Sequence, residues 1–129
     1  MLRPRVLLIL SAVVYAGLGL ASLVAPDAMA RAVGIELATP TARVDFRATY
    51  GGFEIGTAIF LLACASRDGW MQPGVWAVLL TLAGFGGARA IGILVGGGAD
   101  GMMLGALVTE IVGIAWAAAV LFQRQPGLA

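Results

Sequence analysis

Long apolar stretches alternate with short polar ones along the chain, and this pattern predicts a membrane protein. A helix that crosses a bilayer needs about 20 predominantly apolar residues. Four stretches reach this length, and short polar or glycine-rich segments separate them: residues 6–25, 44–65, 74–95 and 102–122. Because these spans use nearly the whole chain, we expect a single transmembrane domain over residues 1–129.

The segments between the spans predict how the helices are connected. Residues 26–40 form the longest connection, where Pro26 ends the first helix and Asp27 is placed to cap a short interfacial helix that reaches Ile35. The other two connections are short, and short connections make consecutive helices antiparallel neighbours. The expected fold class is therefore all-α: an integral membrane four-helix up-down-up-down bundle with a short interfacial helix between the first and second spans.

Small residues recur every four positions in three of the spans, which predicts close helix packing. Apolar side chains gain little by leaving lipid, so membrane helices associate where small residues let their backbones approach. We expect these ridges to pack helix against helix and to leave enough surface for a homo-oligomer. The ridges are Ala48, Gly52 and Gly56; Gly84, Ala88, Gly92 and Gly96; and Gly101, Gly105, Thr109, Gly113 and Ala117.

Composition excludes several kinds of site. Hydrophobic residues make up 60% of the chain and charged residues 12%, which indicates an integral membrane protein. The chain has no histidine and no lysine, which excludes a His-based zinc site, a Ser-His-Asp relay and a lysine Schiff base. A net charge of +1 provides no basic patch for nucleic acid. We therefore expect no metal, no cofactor and no nucleic-acid partner.

The arginines predict an orientation in the membrane, because cytoplasmic loops carry the excess of Lys and Arg. Four arginines fall on one side and two on the other: Arg3, Arg5, Arg67 and Arg124 against Arg31 and Arg43. Both termini are then expected on the cytoplasmic side of a bacterial inner membrane. The excess is modest, so a dual topology stays open as an alternative.

Apart from Asp45 near the outer rim of the second span, four charged side chains lie inside the predicted spans, which marks a candidate site. Charges in hydrocarbon are costly and persist where they face one another or a water-filled cavity. At 1.5 Å rise per residue, their depths below the outer boundary range from roughly 5 Å to about 15 Å, so all lie in the outer half of the bilayer. We expect them to converge on one internal chamber. They are Arg47 and Glu54 in the second span, Arg89 in the third and Glu110 in the fourth.

These residue types suggest acid/base chemistry. Residues three, four or seven positions apart share one helix face, so Arg47, Tyr50 and Glu54 are expected to line one stripe of the second span. Two carboxylates in a low-dielectric pocket can differ, one held ionised by an arginine and the other held neutral by desolvation. We expect Glu54 to be the neutral acid and Glu110, paired with Arg89, to be the base. Arg47 and Tyr50 then orient a substrate oxygen.

The motifs around these residues resemble a known family. They are the run from Arg47 to Gly52, with Glu54 and Gly56 following, then the run from Arg89 to Gly92, and then Glu110. The chain resembles the small four-helix bacterial membrane proteins known as domain of unknown function 4345, over nearly its whole length. The resemblance implies the same architecture and the same polar positions, and it implies no reaction.

The expected function is binding or acid/base processing of a small lipophilic molecule, of isomerase, epoxide-opening or cyclase type. Membrane lipid and that molecule are the expected partners, and the sequence leaves open whether the protein is an enzyme. Two alternatives also stay open. One is a proton-coupled small-molecule transporter, because small transporters also embed a glutamate in four short helices. The other is an accessory membrane subunit whose buried ion pairs only fix helix register.

Overall fold

The structure is a computed structural model that describes residues 3–123, and over these residues it is helical. The predicted all-α fold class is confirmed, with four long apolar helices and a short helix between the first and second. Arg124, which the orientation argument used, lies outside the described residues. The helices are α1 (Pro4–Val24), α2 (Pro26–Ala32), α3 (Pro40–Phe46), α4 (Phe53–Ser66), α5 (Met71–Gly96) and α6 (Gly101–Phe122), with a π-helix at Arg47–Gly52 and a 3-10 helix at Asp68–Trp70.

The second apolar span differs most from its prediction. It runs over Pro40–Ser66 as α3, the π-helix and α4 in succession, instead of as one α-helix from residue 44. It begins early because Thr39 caps it: the Thr39 hydroxyl accepts a hydrogen bond from the Ala42 amide at 3.1 Å. Proline at the first helical position is compatible with this start, since its missing N–H has no partner there in any case.

The chain divides into two compact units, and residues 9–63 form one of them. In this unit α1 packs closely on the π-helix and the start of α4. A Cβ atom added to Gly19 would lie 2.8 Å from Cγ1 of Ile55 and 3.0 Å from the carbonyl oxygen of Gly51. One added to Gly51 would lie 2.6 Å from Cδ2 of Leu23. The two backbones approach here because both positions lack a side chain.

The connection after α1 is structured by hydrogen bonds other than the predicted ones. The expectation that Asp27 caps α2 is wrong: the N-cap is Ala25, without a side-chain bond, and Asp27 accepts hydrogen bonds from Arg43 instead. The helix also ends at Ala32 and not at Ile35. It ends there because Gly34 adopts a φ of +75° and lets the chain turn back on the helix terminus.

The other unit comprises residues 3–8 and 64–123. Here α5 and α6 pack as an antiparallel hairpin. Gly97 and Gly98 form the turn with φ of 76° and 85°, a region that favours glycine. Asp100 caps α6 by accepting a hydrogen bond from the Met103 amide at 2.8 Å. At the far end of the hairpin, Gly74 lies against the side chain of Cys64.

The predicted ridge in α5 is not the surface that packs on α6. Among the described residues, nothing lies within 4 Å of a Cβ added at Gly84 or Gly92, whereas Gly86 is buried against Glu110. Side chains two positions apart on an α-helix point about 200° away from each other. Because Gly86 faces α6, the predicted ridge that begins at Gly84 faces away from α6. Gly56, Gly96, Gly101 and Gly105 are open in the same sense, and at Gly52 the nearest atom is the Arg47 carbonyl oxygen at 4.0 Å. Gly113 lies against the Leu82 side chain, and Ala117 is buried. The homo-oligomer stays a prediction.

We predict that Gly19→Ala destabilises the protein. The added methyl would meet the Gly51 carbonyl oxygen and, at 3.1 Å, the Ile55 amide nitrogen, and backbone atoms cannot rotate aside as a side chain can. Overpacking of this kind costs about 1–3 kcal/mol. Thermal unfolding in detergent should show a lower Tm than wild type. Gly17→Ala, where nothing described lies within 4 Å of the new methyl, is the matched control; equal Tm values for the two variants would contradict the packing account.

Candidate functional site

Arg89 of α5 and Glu110 of α6 form a buried ion pair, which confirms the pairing predicted from the sequence. The Arg89 Nε lies 3.1 Å from each carboxylate oxygen of Glu110, and Nη2 lies 2.8 Å from Oε1. Only 25% of the Arg89 side chain and 10% of the Glu110 side chain are exposed. Nη1 additionally approaches the Met103 sulfur at 3.2 Å. Both oxygens of Glu110 are therefore already used as acceptors.

Arg47 binds to the backbone of its own unit. Its Nε donates a hydrogen bond to the carbonyl oxygen of Leu23 at 3.1 Å. Leu23 lies in the last turn of α1, where carbonyl groups have no partner within the helix. Arg47 thus satisfies one carbonyl group in the last turn of α1, and its expected contact with a substrate oxygen stays a prediction.

Tyr50 lies on the π-helix and packs locally. Its ring stacks on that of Phe46, with centroids 4.5 Å apart and planes at 29°, and 41% of the residue is exposed. The predicted stripe assumed α-helical spacing from Arg47 to Glu54, and that assumption is wrong because residues 47–52 form wider π-helical turns. The role of Tyr50 toward a substrate stays a prediction.

Glu54 has a buried carboxylate oxygen without a partner. It lies in the first turn of α4, directly after the π-helix and within the second apolar span. Its Oε2 atom is buried and has no hydrogen-bond partner among residues 3–123. Buried polar atoms are nearly always hydrogen-bonded, so an exception calls for a specific explanation. Glu54 differs in this respect from Glu110.

Sequence reasoning missed two features of the candidate sites. One is the π-helix, a distortion that is frequent at functional sites; the glycine pair Gly51-Gly52 was the available signal. The other is Trp116 in α6, whose indole Nε1 is buried without an acceptor in the described part of the chain. The sequence feature that could have indicated it is the position of Trp116. Tryptophan prefers membrane interfaces, whereas Trp116 lies about 9 Å inside the end of its helix.

The candidate site residues belong to the two units separately. Arg47, Tyr50 and Glu54 lie in the unit of residues 9–63, and Arg89 and Glu110 lie in the other. The chamber shared by all five stays a prediction. Within residues 3–123, no three potential metal ligands group together, and the absence of a metal or cofactor likewise stays a prediction.

Four apolar helices of 21 to 29 residues, some carrying charged side chains, define the class of this chain: a multi-pass integral membrane protein. More particularly, it belongs to the family described as Domain of unknown function (DUF4345), whose model matches residues 4–121, so the resemblance predicted from the motifs is confirmed. The chain matches no curated protein and no solved structure.

We predict that Arg89→Met and Glu110→Met each destabilise the protein more than the double variant does. Removing one partner leaves the other charge buried and unpaired, which costs about 3–5 kcal/mol, whereas replacing both with apolar side chains of similar volume is often close to neutral. Unfolding of wild type and the three variants in detergent would give the four free energies of unfolding that a double-mutant cycle requires.

The control for this cycle is the exposed pair of Arg5 and Asp68, which are 2.9 Å apart with side chains 53% and 88% exposed. Exposed pairs contribute little, so Arg5→Met should change stability far less than Arg89→Met. Additive losses at Arg89 and Glu110 would show that the two side chains are not coupled.

Proposed function

We propose that this protein binds a small lipophilic molecule within the membrane and acts on it by acid/base chemistry, with Glu54 as the acid. The observation that carries the proposal is the buried, unpartnered Oε2 atom of Glu54 on an apolar span. An ionisable residue inside a membrane segment is costly and marks a functional site unless a partner within the protein accounts for it. A ligand oxygen would supply the missing partner.

The geometry at Glu54 suits proton donation. In its neutral form the carboxyl group can donate one hydrogen bond while its other oxygen accepts. Donation of that proton to an oxygen of the ligand would start an isomerisation or an epoxide opening, and removal of a proton elsewhere on the same molecule would complete an isomerisation. No net oxidation or reduction occurs, so this chemistry requires no redox cofactor.

Glu110 is less free to take part than Glu54. Both of its oxygens already accept hydrogen bonds from Arg89, and one of these hydrogen bonds would have to break before that oxygen could accept a proton from a substrate. The base role expected for Glu110 is therefore retained as a hypothesis, and binding is assigned first to Glu54. A structural role is the second candidate for the pair itself, because complete mutual satisfaction is what fixing helix register requires.

We predict that Glu54→Leu loses the ligand while Glu54→Gln keeps it and loses turnover. Leucine removes every hydrogen bond, whereas glutamine keeps the shape and a donor but has no acidic proton. Small lipophilic molecules extracted from the purified protein can be compared by mass spectrometry. Leucine should lower occupancy about tenfold, the effect of about 1.4 kcal/mol of lost binding.

The control for this experiment is Asp45→Leu, which removes an exposed carboxylate from the same apolar span. It should leave ligand occupancy at the wild-type level. Once the molecule is identified, Glu110→Gln tests the base role: unchanged turnover would remove Glu110 from the mechanism. Equal ligand occupancy in wild type and Glu54→Leu would refute the assignment of Glu54 itself.

The membrane proposed is the bacterial inner membrane, with both termini cytoplasmic. In the unit of residues 3–8 and 64–123, Arg5 contacts Asp68, so the start of α1 and the connection before α5 lie together. This supports counting Arg3, Arg5 and Arg67 on one side, where the excess of arginine indicates the cytoplasm.

We predict opposite labelling of two introduced cysteines in a Cys64→Ala background. A membrane-impermeant maleimide applied to spheroplasts should modify Ala38→Cys, after α2, and should modify Gly69→Cys only after the membrane is opened. Both positions are exposed in the structure. The reverse pattern would invert the proposed orientation, and labelling of both positions in sealed spheroplasts would indicate dual topology.

A further inference from the structure

A polar cavity of about 410 Å³ is lined by residues of α2, of the turn that follows it and of α3. All of its lining residues come from the unit of residues 9–63. Cavities of roughly 300–1,000 Å³ are typical of sites for small molecules. Four charged and two apolar side chains contribute to the lining: Asp27, Arg31, Glu36 and Arg43, with Ile35 and Leu37.

The wall of this cavity is built by local structure. The Ile35 amide donates to the Ala30 carbonyl at 2.9 Å and the Gly34 amide to the Arg31 carbonyl at 3.0 Å, which is the hydrogen-bond pattern of a Schellman motif. Behind this turn, Leu37 is buried with Ala30 in a small apolar cluster. These hydrogen bonds and apolar contacts hold residues 34–37 in place as one wall of the cavity.

One ion pair in the cavity is satisfied. The Arg43 Nε donates to both oxygens of Asp27, at 3.0 and 3.1 Å. This hydrogen bond lowers the pKa of Asp27, against the opposing effect of desolvation, and the charge of Arg31 nearby lowers the pKa further. Asp27 is thus a carboxylate at neutral pH, and it holds Arg43 in the wall.

Two further charges line the same cavity and are exposed: the cation of Arg31 and the anion of Glu36. Neither forms an ion pair within the described residues. A ligand that neutralised both would carry one negative and one positive group. The guanidinium of Arg31 suits a phosphate, and the carboxylate of Glu36 suits an ammonium group.

The position of the cavity along the chain matches the lipid headgroup layer. The first apolar span ends at Val24 and the second begins at Pro40, and the lining residues fall at Asp27 to Leu37 and Arg43, around that boundary. Ile35, an exposed apolar side chain beside the charges, offers a contact to the hydrocarbon part of a lipid. A soluble anion would leave Ile35 without such a contact.

We propose that this cavity binds the phosphoethanolamine headgroup of a membrane lipid, with the phosphate on Arg31 and Arg43 and the ammonium on Glu36. This site is separate from the proposed chemistry at Glu54. It makes the protein selective for a zwitterionic lipid that carries a primary ammonium group over an anionic lipid.

The test uses the full chain in nanodiscs that contain either phosphatidylethanolamine or phosphatidylglycerol in a phosphatidylcholine background, with bound lipid counted by native mass spectrometry. Wild type should retain phosphatidylethanolamine about tenfold better than phosphatidylglycerol, the discrimination of one charge-assisted hydrogen bond. Glu36→Gln should bring this ratio close to one. Arg31→Gln should weaken retention of both lipids, because both carry the phosphate.

Asp45→Asn and Arg3→Gln are the matched controls, because each removes an exposed charge that does not line the cavity. Both should keep the wild-type ratio. Equal retention of the two lipids by wild type, or an unchanged ratio in Glu36→Gln, would overturn the proposal. Binding of free phosphoethanolamine without retention of the lipid would overturn it as well, in favour of a soluble ligand.

Discussion

A polar group inside hydrocarbon has no water to bind, so the protein itself must supply its partner. This constraint accounts for most of the polar contacts within the apolar spans. Arg89 and Glu110 satisfy each other, and Arg47 satisfies a terminal carbonyl of α1. The hydroxyls of Thr57, Thr81 and Thr109 each donate a hydrogen bond to the carbonyl oxygen four residues earlier in the same helix.

Glu54 departs from this rule next to a backbone distortion. The π-helix begins at Arg47 and ends at Gly52, two residues before Glu54. Within it, Gly51 lies directly against Leu23 of α1. An α-helix over the same residues would turn the following carboxylate to a different angle about the helix axis. The distortion and the unpartnered oxygen therefore belong to one local arrangement.

The features that could be predicted from the sequence depend only on hydropathy and on the free energy of burying a charge. Hydropathy predicts four apolar helices whatever their packing. Because an unpaired charge is unfavourable inside a membrane span, the sequence also predicts that Arg89 pairs with Glu110. Packing register does not follow in this way: Gly84 and Gly86 look alike in sequence, and only the geometry of the hairpin turns Gly86 toward α6. The π-helix was missed as well, although the glycine pair Gly51-Gly52 marks the segment in which it forms.

Three ion pairs of the same chemistry differ in what they can do because their surroundings differ. Two unit charges 4 Å apart attract by about 1 kcal/mol in water and by about 4 kcal/mol at the effective dielectric near a protein surface. The Arg5–Asp68 pair is largely exposed to water, so its attraction is weak. The Arg89–Glu110 pair is buried, so its attraction is stronger. The exposure of the Asp27–Arg43 pair, with side chains 39% and 38% exposed, lies between those of the other two pairs. Such a pair can hold a cavity wall in shape while its remaining donors stay accessible to a ligand from the membrane surface.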